Sequence, residues 1–206
     1  MVNAPSSAPV RSPFMGHTTG RRPNAAGQIG VEVAASVLPS VTLISTWISG
    51  LDGLLAALTD VFGAALPQRI GQTARTEFGL LMRTGPEEFL LIGDDTSDRT
   101  TMLRTRIGAD TGSVTDLSHA RCRIHIEGAQ CRTVLNKLYA LDLRTASFAV
   151  GDIAMSGTHH VPCTLHRLDV DAFDIYVFST YAHDQLGTLL DAALEYGVAL
   201  QDLTLA

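Results

Sequence analysis

The chain has 206 residues, of which 46% are hydrophobic and 17% are charged, and its formal net charge is −6. A chain of this length and composition can bury a hydrophobic core without a metal or disulfide staple, which excludes a disordered polymer and a fibrous repeat. The acidic balance also excludes a nucleic-acid binder that depends on a basic face.

The N-terminal region differs in composition from the rest of the chain. Residues 1–31 contain no acidic residue, and they hold four of the eight prolines. Prolines interrupt an amphipathic helix, and no apolar core adjoins the pair Arg21-Arg22, so neither a transit peptide nor an export signal is predicted. We therefore predict that residues 1–35 form an extended or disordered arm that can lie on a partner.

After this arm, the pattern predicts the order β-α-β-β-α. The β-branched and aromatic run 41–48 indicates a strand with Trp47 in the core. A stripe at helical spacing predicts a helix that ends before Pro67, and its members are Leu51, Leu54, Leu55, Leu58, Val61, Phe62 and Ala65. Two strands follow at about 76–83 and 88–93, joined by a turn at Gly85-Pro86-Glu87, and a weaker helical segment covers 97–107.

The second half, from Gly112, has a similar order. It predicts one long strand over 113–127, a helix over 128–138 and a last helix over 180–196 that ends at Gly197. Three further strands are expected near 150–156, 160–168 and 173–178. Strand pairs with tight turns and intervening helices indicate an α+β fold. We expect one domain, residues 36–206, with two pseudo-related lobes of mainly antiparallel sheet, about 36–110 and 111–206, and helices packed on one face.

The densest group of potential metal ligands is His159, His160, Cys163 and His166. Side chains alternate between the faces of a strand, so His160 and His166 would share one face while His159 and Cys163 share the other. Four ligands divided in this way do not close a tetrahedral zinc site. Cys163 is instead expected in the core.

The three cysteines, Cys122, Cys131 and Cys163, are too few and too scattered for a disulfide framework, which predicts a reducing, cytoplasmic location. There is also no run of 18 apolar residues, so no membrane-spanning segment is predicted.

The strand pattern over 121–127 contains the candidate interaction site. Alternation directs Cys122 inward and Arg121, Arg123 and His125 outward. This outward stripe is a possible subunit interface for an acidic partner, and the alternative is an ordinary solvated face. Lys137 is the only lysine among 15 basic residues. Codon bias is one explanation, and contacts with a partner, where arginine is favoured over lysine, are the alternative.

Motifs of catalytic and cofactor sites are absent from the sequence. There is no G-x-S-x-G elbow, Walker sequence or dinucleotide-binding glycine pattern. Asp169-Val-Asp171 does not continue as a calcium-binding loop, because Phe173 and Thr180 occupy ligand positions. We therefore predict no catalytic, cofactor-binding or metal-binding residues in this chain.

Two motifs resemble a known family. They are the turn segment Gly85–Gly93 and the run Val114–Ala129, and shorter matches follow at 134–137, 141–143, 148–151, 165–167, 173–178 and 192–197. Together these residues resemble the gamma subunit of heterotetrameric sarcosine oxidase from about residue 40 to the C-terminus. The segment 114–138 is also similar to the folate-binding aminomethyltransferase (T-protein) of the glycine cleavage system, so the resemblance implies the fold of that protein's folate-binding domain.

The resemblance implies a non-catalytic structural or assembly subunit. Its partners would be the alpha, beta and delta subunits, mainly alpha, without nucleic acid or membrane. Such a complex demethylates sarcosine oxidatively to glycine, with hydrogen peroxide and formaldehyde or methylene-tetrahydrofolate as further products. The resemblance places FAD, FMN, NAD and tetrahydrofolate on the large subunits and zinc on delta, with no cofactor bound by this chain.

A second hypothesis is a stand-alone folate-binding or aminomethyltransferase-like protein. A pocket between the lobes would then hold a pterin through acids such as Asp116 and Glu127. The chain lacks the T-protein family's glycine-rich loop with its folate-contacting aspartate, so the resemblance favours the subunit. The same subunit in a related N-methyl or imino amino-acid oxidase or dehydrogenase is a variant of the first hypothesis.

Overall fold

The computed structural model describes residues 11–47, 50–63 and 66–204. The strands in these ranges are β1 Gly20–Arg22, β2 Val31–Val37, β3 Ser40–Thr46, β4 Thr73–Thr76, β5 Gly79–Gly85, β6 Glu88–Gly93, β7 Gly112–Asp116, β8 Arg121–Glu127, β9 Ile153–Thr158, β10 Val161–Asp169, β11 Ala172–Phe178 and β12 Val198–Thr204. The α-helices are α1 Leu51–Phe62, α2 Arg99–Ile107, α3 Cys131–Leu138 and α4 Ala182–Ala193, the last flanked by 3-10 turns at Ser179–Tyr181 and Leu194–Tyr196.

The strands form two sheets. One has seven strands in the order β1-β12-β2-β8-β11-β10-β9, and the other has five in the order β4-β5-β6-β3-β7. Neighbouring strands are antiparallel except for the parallel pair β12–β2. The predicted α+β class with mainly antiparallel sheets is confirmed.

Each sheet is covered by two helices on one face. Leu54 and Leu58 of α1 are spaced four apart, so they share a helix face and pack with Leu103 of α2 on the five-stranded sheet. Leu135 of α3 and Leu186 of α4 pack in the same way on the seven-stranded sheet. The opposite faces of the two sheets meet in a third apolar cluster: Leu38, Val41, Met82, Leu90, Ile92, Ile153 and Tyr176. The layer order is therefore helix, sheet, sheet, helix.

The prediction of an arm over residues 1–35 is wrong for much of its length. Residues 1–10 lie outside the described residues. Phe14 is 2% exposed and packs in the core of the seven-stranded sheet, and β2 lies between β12 and β8 in the same sheet. The physical reason is an alternation of small apolar side chains, Val31, Val33 and Ala35, each at most 2% exposed.

The predicted single strand over 113–127 is two strands in different sheets. β7 is the edge of the five-stranded sheet and β8 lies inside the seven-stranded sheet. A turn separates them, because the Asp116 carboxylate accepts hydrogen bonds from both the amide and the hydroxyl of Ser118, and Ala120 N donates to Leu117 O. The sheet boundary therefore lies near residue 117, beyond the predicted lobe boundary at 110/111.

Two predictions near the first helix are also corrected. Trp47 is 52% exposed, because β3 ends at Thr46 and the indole Nε1 donates to Ala109 O at 2.7 Å. The helix ends at Phe62, before the predicted limit, where Gly63 takes a positive φ of 79°. Ile48 and Ala65 lie outside the described residues.

None of the helices in the described ranges is long and apolar enough to cross a membrane.

Candidate functional site

Strand β8 carries the predicted interaction stripe. Cys122, Ile124 and Ile126 are at most 1% exposed and pack under the helices. The intervening side chains of Arg121, Arg123, His125 and Glu127 lie on the opposite face of the sheet because side chains alternate along a strand. The structure thus brings Arg121, Arg123 and His125 to one face, as the sequence pattern predicted.

These side chains are not free, because β11 places Asp174 directly opposite His125. His125 Nδ1 lies 2.8 Å from Asp174 Oδ1, and His125 Nε2 lies 3.6 Å from a carboxylate oxygen of Glu127. Tyr176 donates its hydroxyl to the other Asp174 oxygen at 3.4 Å. The hydrogen bond to Asp174 raises the pKa of His125 by stabilising the charged ring, and burial opposes this effect.

Arg121 and Arg123 differ in their surroundings. The Arg121 guanidinium lies 3.7 Å from the centre of the Phe178 ring, and burial lowers its pKa. The Arg123 side chain is 45% exposed, and its ion pair with Asp174 is long, at 4.0 Å. Arg123 is therefore the member of the stripe with the most capacity to bind an additional acid.

The His125–Asp174 pair predicts a pH-dependent contribution to stability. The pKa of His125 is raised above its ordinary value of 6.5 in the folded chain, so the contribution is fully present below 6.5 and is lost as the pH rises through the folded-state pKa. We expect His125→Gln to lower the free energy of unfolding more at about pH 5.5 than at about pH 9. Urea denaturation at both pH values measures this, with the exposed His119→Gln as control. An equal loss at both pH values would contradict the assignment.

A cavity of about 540 Å³ lies between the two sheets, beside this stripe. Arg75, Arg123, Asp94, Asp174 and His166 contribute its ionisable groups. Arg75 pairs with Asp94 at 2.6 Å. His166 is 6% exposed, burial lowers its pKa, and its Nδ1 atom has no hydrogen-bond partner among the described residues.

The acids of the folate hypothesis do not meet in this cavity. Asp116 borders a depression near α2, where its carboxylate accepts hydrogen bonds from Ser118. Glu127 borders a separate open groove near Gly128. The expectation that Asp116 and Glu127 share one pocket is therefore wrong. The reason is the turn near residue 117, which sends the two strands into different sheets.

The histidine and cysteine group is also arranged differently from the sequence expectation. His159 and His160 are the two turn residues between β9 and β10, with φ values of 50° and 65°, and they do not lie on opposite faces of a strand. Cys163 is 1% exposed in the core, as predicted. Among the described residues, no cluster of His, Cys, Asp or Glu is placed to hold a metal ion.

The other two cysteines are buried as well. Burial raises the pKa of Cys131 to about 12 and that of Cys163 to about 11, and it also raises the pKa of Cys122. Thiols with such pKa values stay protonated at neutral pH and are poor nucleophiles. The three cysteines therefore act as small core residues.

Sequence reasoning missed two residues that organise this region, Asp174 and Arg167. Asp174 is 4% exposed and lies in an otherwise apolar strand, and a lone acid in such a strand is itself a signal for a buried, partnered charge. Arg167 is fully buried in β10, on the same side of the strand as the core residues Cys163 and Leu165. No local pattern indicates its burial, because two of its four carbonyl partners, Leu143 and Phe148, lie in a distant turn, while the other two, Asp169 and Val170, follow it directly.

The fold is similar to that of an aminomethyltransferase of known structure. The glycine cleavage system aminomethyltransferase T from Bartonella henselae matches with a TM-score of 0.58 and 15% identity, over 84% of this chain and 48% of that chain. At this identity the likeness concerns the fold alone, and it agrees with the expected T-protein fold.

Residues 51–195 match the sarcosine oxidase, gamma subunit family, and the chain belongs to that family. The sarcosine oxidase subunit gamma of Corynebacterium sp. (strain U-96) is 28% identical over 145 residues, which are 70% of this chain and 71% of that protein. A chain of the solved heterotetrameric sarcosine oxidase from Corynebacterium sp. U-96, in complex with pyrrole 2-carboxylate, has a TM-score of 0.73 and 26% identity, over 91% of this chain and 96% of its own length. The predicted resemblance is confirmed.

Proposed function

We propose that this chain is the gamma subunit of a heterotetrameric sarcosine oxidase in the cytoplasm. The complex demethylates sarcosine oxidatively to glycine, with hydrogen peroxide and formaldehyde or methylene-tetrahydrofolate as further products. The observation that carries the proposal is the match to a chain of the Corynebacterium sp. U-96 complex over nearly the full length of both chains. Family membership over residues 51–195 supports it.

In this role the chain contributes packing and performs no chemistry itself. Its main partner is the large alpha subunit, beside beta and delta, and FAD, FMN, NAD, tetrahydrofolate and zinc belong to those subunits. Two features support this division. His125 is paired with Asp174 of β11 and Arg121 lies over the Phe178 ring, and the raised pKa values of the cysteines leave no reactive thiol.

Purification of the tagged chain from its native host tests the proposal. We expect three further chains in equal amounts, among them a large flavoprotein, and a complex that is stable through size-exclusion chromatography. Native mass spectrometry gives the stoichiometry. Recovery of the chain alone from cells that oxidise sarcosine would contradict the proposal.

The five-stranded sheet covers only part of the sheet face that carries Arg121, Arg123 and His125, and the part left exposed is our proposed contact with the alpha subunit. Arg123 is half exposed and its acidic neighbour Asp174 is already engaged by His125, so Arg123 can bind a carboxylate of the partner. The proposed contact therefore requires an acidic patch on alpha that is complementary to the stripe.

Charge reversal of both arginines, Arg121→Glu with Arg123→Glu, is expected to weaken the complex by about tenfold or more, because like charges then meet across the contact. Dilution of the purified complex, followed by mass photometry, gives the dissociation constant. Arg123→Glu alone retains the Arg121–Phe178 contact and separates assembly from folding. Arg106→Glu, an exposed position on α2, is the control. Unchanged affinity in the double variant would remove this placement of the interface.

The cavity between the sheets favours a second candidate, a folate-binding or aminomethyltransferase-like protein. Arg75 and Arg123 could meet the carboxylates of a folate there, and the volume of about 540 Å³ suits a ligand of this class. Calorimetry of the isolated chain with tetrahydrofolate distinguishes the candidates. Micromolar binding supports the second candidate, and no heat at millimolar ligand removes it.

A further inference from the structure

The two sheets have four edge strands, and β9 differs from the other three. The edge strand β1 carries Arg21 and Arg22, β4 carries Arg75, and β7 ends in Asp116. The edge strand β9, Ile153–Thr158, has no charged residue and no proline. Soluble proteins protect exposed strand edges with charges, prolines or bulges, because an unprotected edge pairs with other chains. β9 is therefore the unprotected edge of the described fold.

The backbone direction of β9 follows from its first residue. Ile153 N donates to Gly71 O at 2.7 Å, so this amide points away from β10. Amides in an antiparallel strand alternate in direction, so those of Met155 and Gly157 also point outward. Neither has an acceptor among the described residues outside the sheet. The position of Pro162 opposite Gly157 agrees with this register, since that pair exchanges no ladder hydrogen bond.

The side chains at this edge are apolar and exposed. Met155 is 53% exposed within the strand. Val150 is 48% exposed and Leu168 is 39% exposed, and both lie near the start of β9, where Gly151 N donates to Arg167 O. Exposed apolar side chains beside an unpaired strand edge are typical of a surface that another chain covers.

We propose that β9 accepts an extended, largely uncharged segment of the large partner subunit as an eighth strand of the sheet. The inference rests on the proposed function, because it requires the oxidase complex. A second copy of this chain fits less well. A strand of six residues is about 20 Å long, so β9 paired with itself buries far less than the roughly 1,000 Å² that a stable interface needs. A larger partner adds further contacts around the strand.

Hydrogen–deuterium exchange of the isolated chain and of the purified complex tests the proposal. In the isolated chain the amides of Met155 and Gly157 should exchange rapidly, and in the complex at least about 100-fold more slowly. A complex in which both amides exchange as fast as in the isolated chain overturns the inference and leaves the proposed function intact. Failure to recover any complex overturns both the inference and the proposed function. A homodimer of the isolated chain in which both amides are protected would show that β9 pairs with a second copy and would also overturn the inference.

Two variants at Met155 distinguish an effect on pairing at the β9 edge from an effect on the stability of the fold. Met155→Pro removes only an outward amide, so the ladder to β10 remains, and Met155→Lys introduces the charge that this edge lacks. Each is expected to raise the dissociation constant of the complex about tenfold or more while the melting temperature of the isolated chain changes little. Thr115→Lys on the edge strand β7 is the matched control and should leave the affinity unchanged. Equal affinities for Met155→Lys and Thr115→Lys would overturn the inference.

Discussion

Arg167→Ala is expected to lower the free energy of unfolding of the isolated chain by about 3–5 kcal/mol. The Arg167 side chain is fully buried, and its guanidinium donates to the backbone carbonyls of Leu143, Phe148, Asp169 and Val170 at 2.7–3.0 Å. Removal of the side chain leaves these carbonyls without their donor in the interior. The loss of several hydrogen bonds to a charged group therefore adds to the cost of the cavity.

Urea denaturation of the purified chain measures this effect. Arg167→Lys retains the charge but loses the planar fork of donors, so its stability should lie between those of the wild type and the alanine variant. Arg144→Ala, which removes an exposed side chain from the same connecting region, serves as the control and should leave the unfolding midpoint unchanged. A loss below about 1 kcal/mol for Arg167→Ala would show that the buried guanidinium does not hold these turns together.

Gly197→Ala should destabilise the fold by about 2–4 kcal/mol. Gly197 has a φ of 78°, in the left-handed region, and an added Cβ would overlap the carbonyl oxygen of Gln28. Its own carbonyl accepts the amides of Gly30 and Val31 at 2.9 and 3.1 Å, which ties the start of β2 to the start of β12. The substitution therefore strains the junction that holds the N-terminal segment in the sheet.

A matched control lies in the same part of the chain. Gly187 is inside α4, and an added Cβ would meet only His17 Cε1 at an ordinary 3.6 Å, so Gly187→Ala should stabilise the chain by about 0.5–1 kcal/mol. Thermal and urea unfolding of the two variants should therefore shift in opposite directions. Shifts of the same sign would contradict the assigned backbone geometry at Gly197.

The elements that depend on local patterns were predictable from the sequence. The stripe of Leu54 and Leu58 predicts α1, and Pro86 and Glu87 predict the turn between β5 and β6. The alternation over β8 predicts which side chains are buried and which face outward. In each case the information lies within a few residues along the chain, because helix periodicity, strand alternation and turn geometry are local properties.

The elements that depend on distant neighbours were not predictable. β2 becomes a strand because it lies between β12, from the C-terminus, and β8. Residues 113–127 have continuous strand propensity, and only the turn near Ser118 divides them between two sheets. The orientation of the stripe on β8 was predictable. The acid that pairs with His125, Asp174, was not, because it is 49 residues away in sequence.

The proposed role of this chain is that of an assembly subunit in a sarcosine-oxidising flavoprotein complex. Its most direct test is the absorbance of the complex purified through a tag on this chain, recorded before and after anaerobic addition of sarcosine. We expect a flavin spectrum that sarcosine bleaches and oxygen restores with release of hydrogen peroxide, while the chain separated from its partners shows neither the spectrum nor the activity. A complex whose flavin is not reduced by sarcosine would contradict this role, and so would a separated chain that oxidises sarcosine by itself.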